Sequence, residues 1–147
     1  MFNNQGIEDC DSMSNSSLSD NEKLVQLIKL IKAEGNLSEI TENEIISLFE
    51  SRGEKAVKTL RENKLHKLIL NEDIAIWEVE GSTGRYILID NNYCECKDFQ
   101  IRVLSRGEKT LCYHLLAKII GEELQHYNLK KISNEEYDQL LNDRINE

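Results

Sequence analysis

Cys94 and Cys96 are one residue apart, Cys112 and His114 are one residue apart, and a short stretch separates the two pairs. Three sulfurs and an imidazole in that pattern are the donor set of a closed zinc site, with sulfur at about 2.3 Å, nitrogen at about 2.0 Å and no position open to substrate. Other chemistries fit less well. Cysteines often serve as small buried apolar groups, and three of them could lie in a core beside a hydrogen-bonded histidine. A disulfide leaves one of the three clustered thiols over, and Cys94 and Cys96 are poorly placed to bridge each other. A redox pair needs Cys-x-x-Cys and gives His114 no part. Structural zinc is therefore the preferred reading.

The elements that must position these ligands follow from their spacing. Residues two apart on a strand project from one face, so Cys94 and Cys96 converge where a strand ends. Residues two apart on a helix diverge by about 200°, so Cys112 and His114 share an ion only if a helix begins at or between them. The expectation is a strand-to-helix junction, with the positive helix start favouring the thiolate that the metal requires.

Length and charge bound the rest. A chain of 147 residues has the size of one domain with a tail. Its net charge of -9 argues against a free-standing nucleic-acid binder, because phosphate contacts need a basic surface. No apolar run approaches a membrane span, and the first residues lack a signal-peptide pattern, so an intracellular setting is expected. Cysteines held by metal agree with that compartment.

Residues 1–18 are polar and acidic, carry no Lys or Arg, and read as a disordered tail containing an incidental Cys10. Residues 19–147 read as one α+β domain. The box Ser19-Asp20-Asn21-Glu22 opens a helix that Gly35 stops, and the box Thr41-Glu42-Asn43-Glu44 introduces a second. A short helical stretch with Ala56, Val57 and Leu60 follows. Alternation over 65–70, 74–79 and 86–89, with a turn at Gly81-Ser82-Thr83-Gly84, predicts an antiparallel meander that delivers the chain to Cys94. Phe99, Ile101, Val103 and Leu104 are expected to pack beneath the site, and residues 105–108 to form a loop. A helix from about Cys112 to about Tyr127 has an apolar arc of about 200°, wider than a one-sided helix needs, with Lys118, Glu122 and Gln125 as its wet face. A last helix opens with the box Ser133-Asn134-Glu135-Glu136.

Cys94-x-Cys96, a spacer, then Cys112-x-His114 resembles the SWIM zinc-finger signature, here over about residues 86–125. The similarity is closest to the small SWIM-domain subunits of the Shu homologous-recombination complex. It is carried by Tyr93-Cys94-Glu95-Cys96-Lys97-Asp98-Phe99, by Val103-Leu104, and by Leu111-Cys112-Tyr113-His114-Leu115-Leu116-Ala117. Many SWIM fingers place proline directly after the second cysteine, where this chain has Lys97, which leaves that turn less preset. The resemblance implies a nuclear, non-catalytic subunit with one structural Zn2+. Such a subunit pairs with a RecA-like recombinase paralogue, supports recombinase filaments in DNA repair, and meets DNA through the complex. Consistent with this, the sequence has no P-loop, no Ser/His/Asp arrangement and no Gly-x-Ser-x-Gly. SWIM fingers also occur as nucleic-acid-binding modules and in ubiquitin-ligase components that recruit substrates.

Two further sets of residues are candidates. Ala117, part of the family signature, and Leu124 lie along the wide apolar arc, where a small residue lets a partner approach closely; alanine is equally at home in a core. The basic series Arg52, Lys55, Lys58, Arg61, Lys64 and Lys67, its first four above all, could contact DNA, although spacing by three drifts around a helix and acidic neighbours dilute the series, as on a solvated face. His66, Trp77, Tyr86 and His126 read as structural.

Overall fold

A computed structural model describes residues 18–105 and 111–145. Nearly all of the expected tail, with Cys10, and most of the loop after Ser105 lie outside the described residues. Five α-helices and five strands occur among those described: α1 Asp20–Glu34, α2 Glu39–Phe49, α3 Ser51–Arg61, β1 Leu65–Ile69, β2 Ala75–Glu80, β3 Arg85–Ile89, β4 Tyr93–Cys94, α4 Tyr113–Leu124, β5 Asn128–Lys131 and α5 Asn134–Ile145. A π-helical turn covers Phe99–Ser105. The fold is α+β, as expected.

Local signals set the helix ends. At α1 the Glu22 amide donates to Ser19 Oγ and the Ser19 amide to Glu22 Oε1, at 3.1 and 2.9 Å, a complete capping box. Gly35 ends α1 in the left-handed conformation, at φ 76°. The box expected at Thr41 is displaced. Ser38 caps α2 instead, accepting from the Thr41 amide, while the buried Thr41 hydroxyl donates to the Asn36 carbonyl. At α5 the box Ser133 to Glu136 forms as read.

The strands form one sheet in the order β4-β3-β2-β1-β5. The first four are the antiparallel meander, with Leu65 opposite Val79, Trp77 opposite Leu88, and Leu88 opposite Cys94. Directly opposed residues share a face. Leu65, Trp77, Val79, Leu88 and Cys94 therefore all face one way, toward the helical layer. On the far side β5 pairs parallel with β1, an element the sequence pattern did not predict. All four of its residues are exposed, so no alternation marks it; main-chain pairing holds it at the edge, joined by Asn128 Nδ2, which donates to the Asn63 carbonyl at 2.8 Å.

The core lies between that sheet face and helices α1 to α4. Leu27, Ile31, Ile45, Leu48, Leu60, Leu65, Val79, Leu88, Leu115, Leu116 and Ile120 are at most 1% exposed, and Cys94, Cys96 and Cys112 belong to the same cluster. The wide arc of α4 is explained by its place at the centre, packed against α1, α3 and the sheet at once. Lys118, expected on a wet face, is buried. Its ammonium donates to Asn91 Oδ1 at 2.7 Å and Glu122 Oε1 at 2.9 Å and lies 5.1 Å from the Trp77 ring centroid. A buried ammonium is tolerable because each of these contacts replaces water. The segment after Cys96 also departs from expectation. Phe99 packs inward, but Ile101 and Leu104 are exposed on the π-helical turn.

A candidate metal centre at the strand-to-helix junction

Strand β4 is two residues long and ends on the first ligand. Cys94 faces the core opposite Leu88. Alternation sends Glu95 to the other face, where its carboxylate accepts from the Ile87 amide at 2.6 Å and from Arg144 Nε at 3.1 Å. Holding Glu95 outward turns Cys96 back to the side of Cys94. The Phe99 amide then donates to Cys96 Sγ at 3.3 Å and the Gln100 amide to the Cys96 carbonyl at 3.2 Å, fixing the turn that proline would otherwise preset.

The second pair straddles a helix start. Cys112 is the residue before the first turn of α4, with extended backbone at φ -91° and ψ 174°, and its carbonyl accepts from the Leu116 amide. His114 is already inside the helix. The break in regular geometry between the two brings their side chains to one place, as the spacing required. Arg52 steadies this junction: its guanidinium donates twice to Asp20, at 2.9 Å each, and once to the carbonyl of Leu111 at 3.0 Å.

The four donor atoms lie within 4.8 Å of one another and all four residues are buried. His114 Nδ1 is 3.8 Å from Cys94 Sγ and 4.0 Å from Cys112 Sγ. A tetrahedron of zinc–sulfur bonds has an edge of about 3.8 Å, so the cluster already has the dimensions of a zinc site. Its electrostatics agree. Hydrogen bonds from the Cys112 and Cys94 thiols hold the Cys96 thiol well below its ordinary range. Sharing protons with Cys112 and Cys96, together with burial, pushes the Cys94 thiol far up. Cys112 is drawn down by Cys94, but the opposing effects of Cys96 and of burial prevail and leave it pushed up to about 12. Three crowded sulfurs thus stabilise one thiolate among themselves, and a divalent cation is what allows all three to ionise.

His114 lies between two rings, with Tyr113 at 4.0 Å and Tyr86 at 5.1 Å between centroids. Its Nε2 is buried with no hydrogen-bond partner. Burying an imidazole in this way is costly; a bond from Nδ1 to a cation offsets it and leaves the proton on Nε2. Gly81 makes room for the ring, since a Cβ there would lie 2.4 Å from Tyr86 Cε2 and 3.1 Å from His114 Nε2. The donor set therefore fits one zinc ion held by Cys94, Cys96, Cys112 and His114.

The other candidates separate. Ala117 is fully buried in the core, so the reading in which it meets a partner surface gives way to the packing one. Leu124 is partly buried and packs against the core from the end of α4. Arg52 is committed to Asp20 and Leu111, whereas Arg61 is exposed and makes a two-pronged surface ion pair with Glu42. Lys55 and Lys58 are exposed. His66 pairs with Glu80 at 2.6 Å, and His126 Nε2 donates to the Leu60 carbonyl at 2.7 Å. Trp77 is buried and stacks edge-on with Tyr127. Spacing alone missed Glu95, Gly81 and Arg52; for Glu95 the signal was present, since the residue between two converging cysteines must face the other way.

Fold and site together define a zinc-finger-type module built around a saturated Cys₃His centre. The chain is similar to the zinc finger SWIM domain-containing protein 7 homolog of Dictyostelium discoideum, 24% identical over 129 residues that span 84% of this chain and 83% of that protein. No family model and no solved structure matches. The relative's name and the buried tetrad support assignment to the SWIM type.

Proposed function

We propose that this chain is a non-catalytic, zinc-stabilised subunit of a Shu-like complex. In this reading it acts in the nucleus, promoting homologous recombination and DNA repair by supporting recombinase filaments through a RecA-like paralogue partner. The observation that carries the reading is the buried tetrad, set at a strand-to-helix junction within a run, Tyr93 to Ala117, that resembles the Shu-type signature. Four protein ligands leave zinc no open coordination for Lewis-acid work. When bound, the ion supplies structural energy, roughly 10–16 kcal/mol in small zinc modules, which is of the order of a whole domain's stability. The chain's own residues do the rest. Glu95 and Arg52 aim the two ligand pairs, Gly81 admits the His114 ring, and α4 passes the order of the metal centre into the core. ATP handling and most DNA contact then belong to the partner. Affinity purification of the tagged full chain from its native cell, followed by mass spectrometry, tests this: a RecA-like paralogue is expected, and recovery of a cullin-type assembly overturns it.

A further inference from the structure

α5 crosses the face of the sheet that points away from the helical layer and the metal. Its footing there is slight. From Asn134 to Arg144 no side chain is buried; Tyr137, Leu140 and Arg144 are half-buried at spacings of three and four, one narrow stripe, and Leu141 is 43% exposed. Two clefts, of about 410 and 830 Å³, run between the helix and the sheet and share Glu78, Arg85, Leu140 and Asp143. A helix of 12 residues owes its stability in water mainly to apolar packing, of which α5 has little. Elements with so few buried contacts open at the low end of a protein's range of local stabilities.

Polar fastenings lie at its two ends. At the start Ile132 is buried, its amide donates to the Ile69 carbonyl at 2.9 Å, and Lys130 lies 3.8 Å from Glu136. At the far end Arg144 Nε donates to Glu95 Oε2 at 3.1 Å. Glu95 is the residue between Cys94 and Cys96, and its other oxygen accepts from the Ile87 amide at 2.6 Å. One carboxylate therefore joins the last turn of α5, strand β3 and the turn that aims Cys96.

We propose that α5 is a releasable strap across the outer face of the sheet, latched through Arg144 and Glu95 to the metal centre on the inner face, so that zinc occupancy and docking of α5 favour each other. With α5 down, Arg144 restrains the Glu95 carboxylate, and Glu95 keeps Cys94 and Cys96 converging on the opposite side. With α5 lifted, Glu95 retains only the Ile87 amide, and the geometry of the first ligand pair loosens. Linkage makes the effect mutual: whatever factor docking adds to zinc affinity, zinc adds to docking. The latch is about a quarter exposed on both sides, so the factor is modest, about threefold. The proposal rests on the zinc assignment and not on the recombinase reading.

The test uses the full zinc-loaded chain. Hydrogen exchange read by mass spectrometry reports opening of α5, and transfer of zinc to a chromophoric chelator reports the metal centre. The wild type is expected to hold one equivalent of zinc and to exchange α5 amides faster than those of α4. Arg144→Ala should speed exchange along α5 and raise the rate of zinc transfer about threefold. Leu140→Ala loosens the middle of the helix but leaves in place the ion pair and the carbonyl at 140 that Arg144 Nη1 also reaches; it should move both readings the same way. Glu95→Gln with Arg144→Ala should transfer zinc no faster than Glu95→Gln alone, because both changes open one latch. Exchange in β2 and α4 that matches the wild type identifies a variant whose core is intact. The strap is overturned by α5 amides that exchange as slowly as those of α4, by α5 exchange that neither single variant alters, or by faster α5 exchange with zinc transfer at the wild-type rate. Less than one equivalent of zinc in the wild type removes the metal assignment itself and the coupling with it, and recovery of a partner bears on neither.

Discussion

Replacing Glu95 with alanine removes a carboxylate that holds two partners on the face of the sheet away from the metal. One is the Ile87 amide at 2.6 Å and the other is Arg144 Nε at 3.1 Å. A hydrogen bond to a charged acceptor is worth about 1.5–3 kcal/mol, whereas a partly exposed ion pair adds about 0–1 kcal/mol. The side chains of Arg144 and Glu95 are 26% and 25% exposed, so the ion pair belongs near the lower end of its range. The total is then about 2 kcal/mol. Because Glu95 sits between two ligands, that cost falls on the geometry that aims Cys96, and 2 kcal/mol spent there corresponds to about 30-fold in zinc affinity, inside the 10- to 100-fold typical of outer partners of a metal site. Competition with a chromophoric chelator measures it. Glu95→Gln, which keeps an acceptor for the Ile87 amide, should lose only about threefold. Zinc affinity within twofold of wild type in Glu95→Ala would refute the reasoning, even if thermal stability dropped, because it would separate the outward anchor from the ligands it is said to orient.

Cys94→Ser, Cys112→Ser and His114→Ala should each bind less than one equivalent of zinc and lower the melting temperature, and a full equivalent in all three by metal analysis would remove the ligand assignment. Ala117→Glu places a charge at a fully buried position, so zinc content and soluble folded protein should fall together; a folded, zinc-loaded variant that loses only its partner would restore the surface reading. The hydrogen bond from His66 holds the Glu80 carboxyl below its ordinary 4.5. A depressed carboxyl pKa gives stability that is present above about pH 4.5 and is lost as pH falls through the lower, folded value, so the gap in melting temperature between wild type and Glu80→Gln should close in acid, and a gap constant from pH 6 to pH 3 counts against the pairing. Glu50 joins α2 to α3 at φ 56° and ψ -123°, a region that suits glycine. Glu50→Gly should therefore stabilise by about 1 kcal/mol in denaturant melts.

The features legible in the sequence are those decided by near neighbours. The ligand spacing demanded a strand end and a helix start because side-chain direction in each depends on position alone, and β4 and α4 meet that demand at Cys94 and Cys112. The capping boxes at Ser19 and Ser133 were legible for the same reason. Ser38 was not, because the hydroxyl of Thr41 turned inward to Asn36 and left the capping role to the residue three before it. Lys118 has the chemistry of a surface residue, and besides its local partner Glu122 it needs Asn91 and Trp77, from distant parts of the chain, to make burial acceptable. The edge strand β5 carries no side-chain pattern, since its place is set by unpaired main-chain groups on β1.

Arg52 reaches 32 residues back to Asp20 and 59 residues forward to Leu111, while Cys94 and His114 are only 20 apart. In kinetic terms these are different events. Closing a short loop costs little chain entropy and takes well under a microsecond, whereas contacts between distant segments wait on the larger search. A chain that meets zinc early can shut the 94–114 loop before the helical layer assembles, and α4 then arrives at α1 and α3 with its first turn already fixed.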